Sequence, residues 1–168
     1  MELSGAEKLI LIMLCEIYEK LEIKAEIDPK FVKQAIFANQ TWGLGWKYSV
    51  VQESADPPIV GTVVDILDMW SMIESAYGKL SDGDKATLKR EAAPFGENVQ
   101  FEGFDANNEN EYYVARFLID DLERFSSFKG RSLNSHFPIL HTHMRMLAVF
   151  KPIRKNLTDR SLNVAELT

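Results

Sequence analysis

The sequence is short of the features that would announce a chemistry. It has one cysteine among 168 residues, so no disulfide can close within the chain, and the expectation is a reducing compartment. Nine glycines and six prolines are too few for a collagen-like or low-complexity chain. The longest apolar run, Leu9 to Cys15, has seven residues, far short of the about 20 that cross a bilayer. Glu2 and Glu7 lie before or at its edge with only Lys8 to offset them, the wrong charge for a secretory leader. The expectation is a cytoplasmic protein with no membrane contact. No catalytic signature and no glycine-rich phosphate loop occurs, so no catalytic residue is assigned and no cofactor is expected. What is present, 46% apolar and 26% charged residues with a net charge of −6, describes a chain that folds rather than an acidic disordered one.

Local signals predict helices throughout. Ser4 and Glu7 have capping-box spacing before the apolar run, so a first helix is expected over Gly5 to Leu21. It is apolar almost all round at Leu9 to Cys15, which implies neighbours on several sides, from this chain or from another subunit. Asp28-Pro29 opens a second helix running to about Asn39. The glycines of Trp42-Gly43-Leu44-Gly45-Trp46 read as a loop. Lys47 to Ala55 fits a short strand or a short helix. From Pro58 to Lys79, Val60, Val63, Val64, Leu67, Trp70, Ile73 and Tyr77 keep helical spacing. Ser81 or Asp82 caps a short helix to Ala93, and Phe95 to Asp105 reads as a loop or extended connection. A further helix is expected from Asn107 or Asn108 to Phe125. Another, capped by Ser135 or His136, runs to Phe150 with Pro152 stopping it. Asn163 and Glu166 form a second capping box. The fold class is all-α: six to seven helices in one compact multihelical domain over residues 1–168, with a candidate seam at residues 94–105 between two helical subdomains.

Several segments together resemble the bacterial YfbU-like family. They are Ala6-Glu7-Lys8-Leu9-Ile10-Leu11, the helix Thr62-Val63-Val64-Asp65-Ile66-Leu67-Asp68-Met69-Trp70, Phe101-Glu102-Gly103-Phe104-Asp105-Ala106, Val114-Ala115-Arg116-Phe117 and Arg145-Met146-Leu147. Gly103 to Ala106, followed by Glu109 and Tyr112, is the most specific piece. The stretch at residues 45–58, with Gly45-Trp46 and Pro57-Pro58, departs from the family pattern, and the C-terminal helix is shorter. The resemblance implies a mostly helical cytosolic protein and names no reaction.

Six groups of side chains are candidates for function. Trp42 and Trp46 are either core anchors or an aromatic contact patch for a partner. Asp105 and Arg116 are candidate binding residues. Beside that stands a structural reading, in which Gly103 permits a turn, Phe104 anchors it, and Asp105 or Asn107 caps the next helix. His136, His141 and His143 lie within eight residues. On a helix, however, residues two apart point about 200° apart, so surface or interface histidines are favoured over a metal site. Asp65, Asp68, Asp120, Asp121 and Glu123 would cluster only if their helices packed acid to acid. Without a Glu-x-x-His pattern, solvated faces are favoured. Cys15, beside Glu16 and Glu19, reads as a small core residue and not a nucleophile.

The last candidate is charge placement. From Lys129 to Arg160 there are seven basic residues against one acidic, a local +6 that leaves −12 for the rest of the chain. Arg145, Lys151, Arg154 and Lys155 are therefore candidate contact residues. They would meet the acidic surface of a second copy, which is favoured, or nucleic acid phosphates. The combined expectation is a binding or regulatory protein that self-associates as a homo-oligomer, with room for another protein partner. A nucleic-acid-binding protein and an enzyme using the histidines or helix carboxylates, metal-dependent or not, are the alternatives.

Overall fold

The computed structural model describes residues 2–51, 55–158 and 160–168, with the side chain of Phe95 left aside. Its described residues form eight α-helices and no strand. The chain is thus all-α, and most predicted starts hold because their caps are chemically explicit. Ser4 caps α1 (Gly5–Lys20) by accepting from the Glu7 N–H, while Glu7 accepts from the Ser4 N–H at 2.8 Å. Asp28 caps α2 (Pro29–Phe37), accepting from the Lys30 N–H at 2.9 Å, with Pro29 in the first turn. Ser81 caps α5 (Asp82–Glu91), and the Asn163–Glu166 box closes on α8 (Val164–Leu167).

α4 (Pro58–Lys79) is the centre of the molecule. Val60, Val63, Ile66, Leu67, Met69, Trp70 and Ala76 are buried along it, and it packs against α6 (Glu111–Arg116) and α7 (Leu140–Arg154). α1 packs chiefly on α2, as a helical hairpin. One apolar cluster runs from Cys15 to Leu162 and draws on both sides of residues 94–105.

Four expectations fail locally, each for a tertiary reason. First, Gly43–Lys47 is not a loop but a short helix, α3. Gly43 lets it approach Phe117 so closely that a Cβ there would sit 2.3 Å from the ring, while Trp42 and Leu44 are buried. Packing outweighs the cost of two glycines. Of the ambiguous stretch that follows, Ser49–Val51 is a 3-10 turn, and residues 52–54 lie outside the described residues.

Second, the helix expected from Asn107 or Asn108 begins at Glu111 and gives way at Phe117–Asp121 to a π-helical turn. Phe117, Leu118 and Ile119 are all buried there. An ordinary α-turn spreads three consecutive side chains around the helix, and the wider turn brings them closer to one face. Leu122 N–H donating to Phe117 C=O at 2.9 Å closes the turn, and left-handed Glu123 and Phe125 end the run. Third, neither Ser135 nor His136 caps α7, which starts at Leu140. Fourth, Pro152 sits inside its last turns instead of stopping it.

Candidate functional site

Two regions compete for a functional role, and the first is a buried polar junction around the family-like motif. Gly103 has φ +92°, and a Cβ there would meet the Leu133 carbonyl oxygen at 2.0 Å. Phe104 N–H donates to that same carbonyl at 2.9 Å, and Ser135 N–H donates back to Phe104 C=O at 3.1 Å. Phe104 is fully buried. The side-chain oxygens of Glu109 accept three backbone N–H groups: Asp105 at 2.8 Å, Ile139 at 2.8 Å and Leu140 at 2.7 Å. The α7 N-terminus is therefore capped from thirty residues away, in place of the local cap the sequence suggested. Asp105 caps no helix either. It accepts from the Asn107 N–H at 2.9 Å and from the Asn108 amide, and these bonds hold its carboxyl below the usual range.

His143 completes the junction. It is fully buried. Trp70 Nε1–H donates to its Nδ1 at 3.2 Å, which leaves the proton on Nε2 to be donated to Gly103 C=O at 2.9 Å. Burial pushes its pKa down, so the ring is neutral. This corrects the expectation of surface or interface histidines. His143 is a core residue among Trp70, Phe101 and Phe104, and only His136 and His141 are exposed. Among the described residues, no three His, Cys, Asp or Glu side chains gather where they could hold a metal ion. Burial raises the pKa of Cys15, the opposite of an activated thiol.

Four of the five candidate carboxylates pair separately with cations, while Asp121 is part-buried beside Asp120, its pKa raised by burial first and by that neighbour second. Asp65 pairs with Lys151 at 2.7 Å and Asp68 with Arg154 at 2.8 Å. Glu123 pairs with Lys129 at 3.0 Å, and Asp120 lies 3.7 Å from exposed Arg116. Glu74 takes both terminal nitrogens of Arg131 at 2.8 Å. The basic segment is thus largely neutralised within its own chain. Of the four cations singled out there, Lys151 and Arg154 are spent on α4. Arg145 and Lys155 are exposed without an ion pair among the described residues. The two tryptophans are not a surface patch. Trp42 is 7% exposed and donates to Gln40. Trp46 is half-buried, donates to Asp56 Oδ2 at 2.7 Å and lies under the Arg124 guanidinium.

A family model, the YfbU domain, matches residues 1–168. The chain belongs to the YfbU family. No curated protein and no solved structure matches it. In this YfbU domain the motif residues Gly103, Phe104, Asp105 and Glu109 build a connection in which the carboxylates of Asp105 and Glu109 are answered from within the fold. No helix among the described residues is long and apolar enough to cross a membrane.

The second region is the outer face of the α1–α2 hairpin. Inward, α1 contributes Leu11, Ile12 and Cys15 to the core. Outward, Leu9 (60% exposed), Ile10, Met13, Leu14, Ile17, Tyr18 and Leu21 stand open, and Ile23, Ile27 and Phe37 (69%) are open in the rest of the hairpin. The expectation that this helix is enclosed on several sides is not met within one chain. The apolar periodicity at Leu9 to Cys15 was the signal of this surface, and its outward half has no cover among the described residues. A groove of about 420 Å³ adjoins the hairpin, lined by Ala38, Asn39, Gln40, Trp42, Pro57, Ile59, Asn110, Tyr113 and Val114. Lys8 Nζ, on the first turn of α1, donates to Asn39 Oδ1 at the rim of that groove at 3.3 Å.

Proposed function

We propose that this protein is a non-catalytic interaction module that acts as a self-associated assembly, its copies joined through the outer faces of their α1–α2 hairpins. One observation carries the reading: ten large apolar side chains lie open on one hairpin. Monomeric proteins rarely leave apolar patches beyond a few hundred Å². Ten such side chains, most of them about half open, approach the ~800 Å² per partner that a standard interface covers. A second copy is the occupant that fits best, because a single apolar face repeated on two identical chains is self-complementary about a twofold axis.

The driving force in this reading is apolar burial and not charge. The contact expected from the sequence, a basic segment against an acidic surface, is already made inside the chain by Lys151–Asp65 and Arg154–Asp68. Association should therefore persist as salt is raised, since screening weakens charge pairs and leaves hydrophobic burial intact. Light scattering and sedimentation over a range of protein concentrations, at low and high salt, test this. Leu14→Lys, on the open face, should raise the dissociation constant roughly 100-fold or more, as truncated interface anchors do. A wild-type chain that stays monomeric at every concentration and salt level would sink the reading.

A further inference from the structure

Phe37 is the most exposed aromatic side chain among the described residues, at 69%. It ends α2, and the next residues, Ala38 to Trp42, turn directly into the groove wall. Lys33, one turn before Phe37, pairs with Glu19 of α1 at 2.6 Å, so α1 flanks this side of α2 while Phe37 itself stands open. An apolar projection and an apolar-floored recess thus lie side by side on one patch.

Resting on the self-association reading, we propose that Phe37 of each copy inserts into the groove of the other. The recess then has Trp42, Pro57, Ile59 and Val114 beneath the ring and Tyr113 beside it. Each groove is incomplete without the partner copy. An isologous contact requires that if one residue meets a second, the second meets the first. A projection beside its own recess satisfies that rule about a twofold axis between them. The recess of about 420 Å³ is ample for one phenyl ring.

The rim of the recess is polar. Asn110 makes no cap bond with its side chain, and the amide nitrogens of Asn39, Gln40 and Asn110 have no acceptor among the described residues. The α2 C-terminus beside this rim is closed within its own chain, the Gln34, Ala35 and Ile36 carbonyls accepting from the Ala38, Gln40 and Asn39 N–H groups, so the contact rests on the apolar floor and not on the rim. The Lys8–Asn39 contact joins this groove to the open face of α1, so both belong to one continuous surface.

The test compares three variants by sedimentation, with helicity checked by circular dichroism. Phe37→Ala removes the projection and should weaken association roughly tenfold or more. Asn110→Trp fills the recess from its exposed rim and should weaken it similarly. Mixing the two restores one projection and one open recess in a hybrid, which should associate more tightly than either variant with itself. Leu14→Lys reports on the α1 face independently. If Leu14→Lys dissociates the assembly while Phe37→Ala leaves its dissociation constant unchanged, the insertion is wrong and self-association stands. A hybrid no tighter than its parents also overturns the insertion. A wild-type chain that is monomeric throughout overturns both.

Discussion

The junction at residues 103–109 and the outer face of α1 invert each other. The junction buries polar groups and satisfies them all: Glu109 is answered by three backbone N–H groups, and both ring nitrogens of His143 are answered. The α1 face leaves apolar groups open and satisfies none of them. Buried polar groups cost little once paired, and open apolar groups cost nothing to the fold but seek cover. The contrast separates residues that hold this chain together from residues available to something else. The family-like motif falls on the first side and the α1 face on the second.

The comparison can be broken at its structural end first. Gly103→Ala should cause the largest loss, on the order of 4 kcal/mol or complete failure to fold, because φ +92° and the 2.0 Å approach to Leu133 leave no room for a Cβ. A chemical denaturation midpoint close to wild type would show that the junction is looser than described. Glu109→Ala should follow at about 2–3 kcal/mol, since one buried and two part-buried backbone donors lose their acceptor. Hydrogen exchange should show the first turn of α7 opening before the rest of that helix.

His143 gives a smaller, pH-dependent effect. Burial holds its folded pKa below the unfolded value of about 6.5. The unfolded chain therefore binds the proton more readily, and stability present above about pH 6.5 is lost as pH falls, by up to about 1.4 kcal/mol per pH unit for one group. His143→Gln should lower stability at neutral pH and flatten that slope. A slope between pH 5 and 7 that survives the substitution would assign it to other groups. The smallest effect on folding belongs to the other region. Leu14→Lys should change the stability of the isolated chain by less than about 0.5 kcal/mol, because the side chain is already open. A loss of several kcal/mol measured on dilute monomer would mean that the α1 face is part of the fold after all.

The sequence was most informative where chemistry is local. Ser4–Glu7, Asp28-Pro29, Ser81 and Asn163–Glu166 name their helices because an N-cap acts within three residues. The α4 helix was equally legible from its period, although its buried side is rotated: Val60, Val63, Leu67 and Trp70 are buried as expected, while Ile66, Met69 and Ala76 are buried in place of Val64, Ile73 and Tyr77. Of the candidate site residues, Asp105 and the histidines were found as a motif but not as a connection. The pairing of Glu109 with α7, and of His143 with Trp70, spans thirty or more residues and leaves no short-range trace. Gly43–Lys47 carries no helix signal in its own residues, because a helix of five residues is made by the Phe117 ring packed against it.

Charge shows the same division. The sequence alone determined that cations gather at residues 129–160 and carboxylates elsewhere. Only the tertiary structure decided that Lys151 and Arg154 pair on the surface with Asp65 and Asp68 of α4. The sequence likewise determined that α1 is apolar nearly all round. Which half faces the core and which stays open was decided by α2, which packs on one side of it and leaves the other bare. Period and composition are properties of one helix, and exposure is a property of what lies against it.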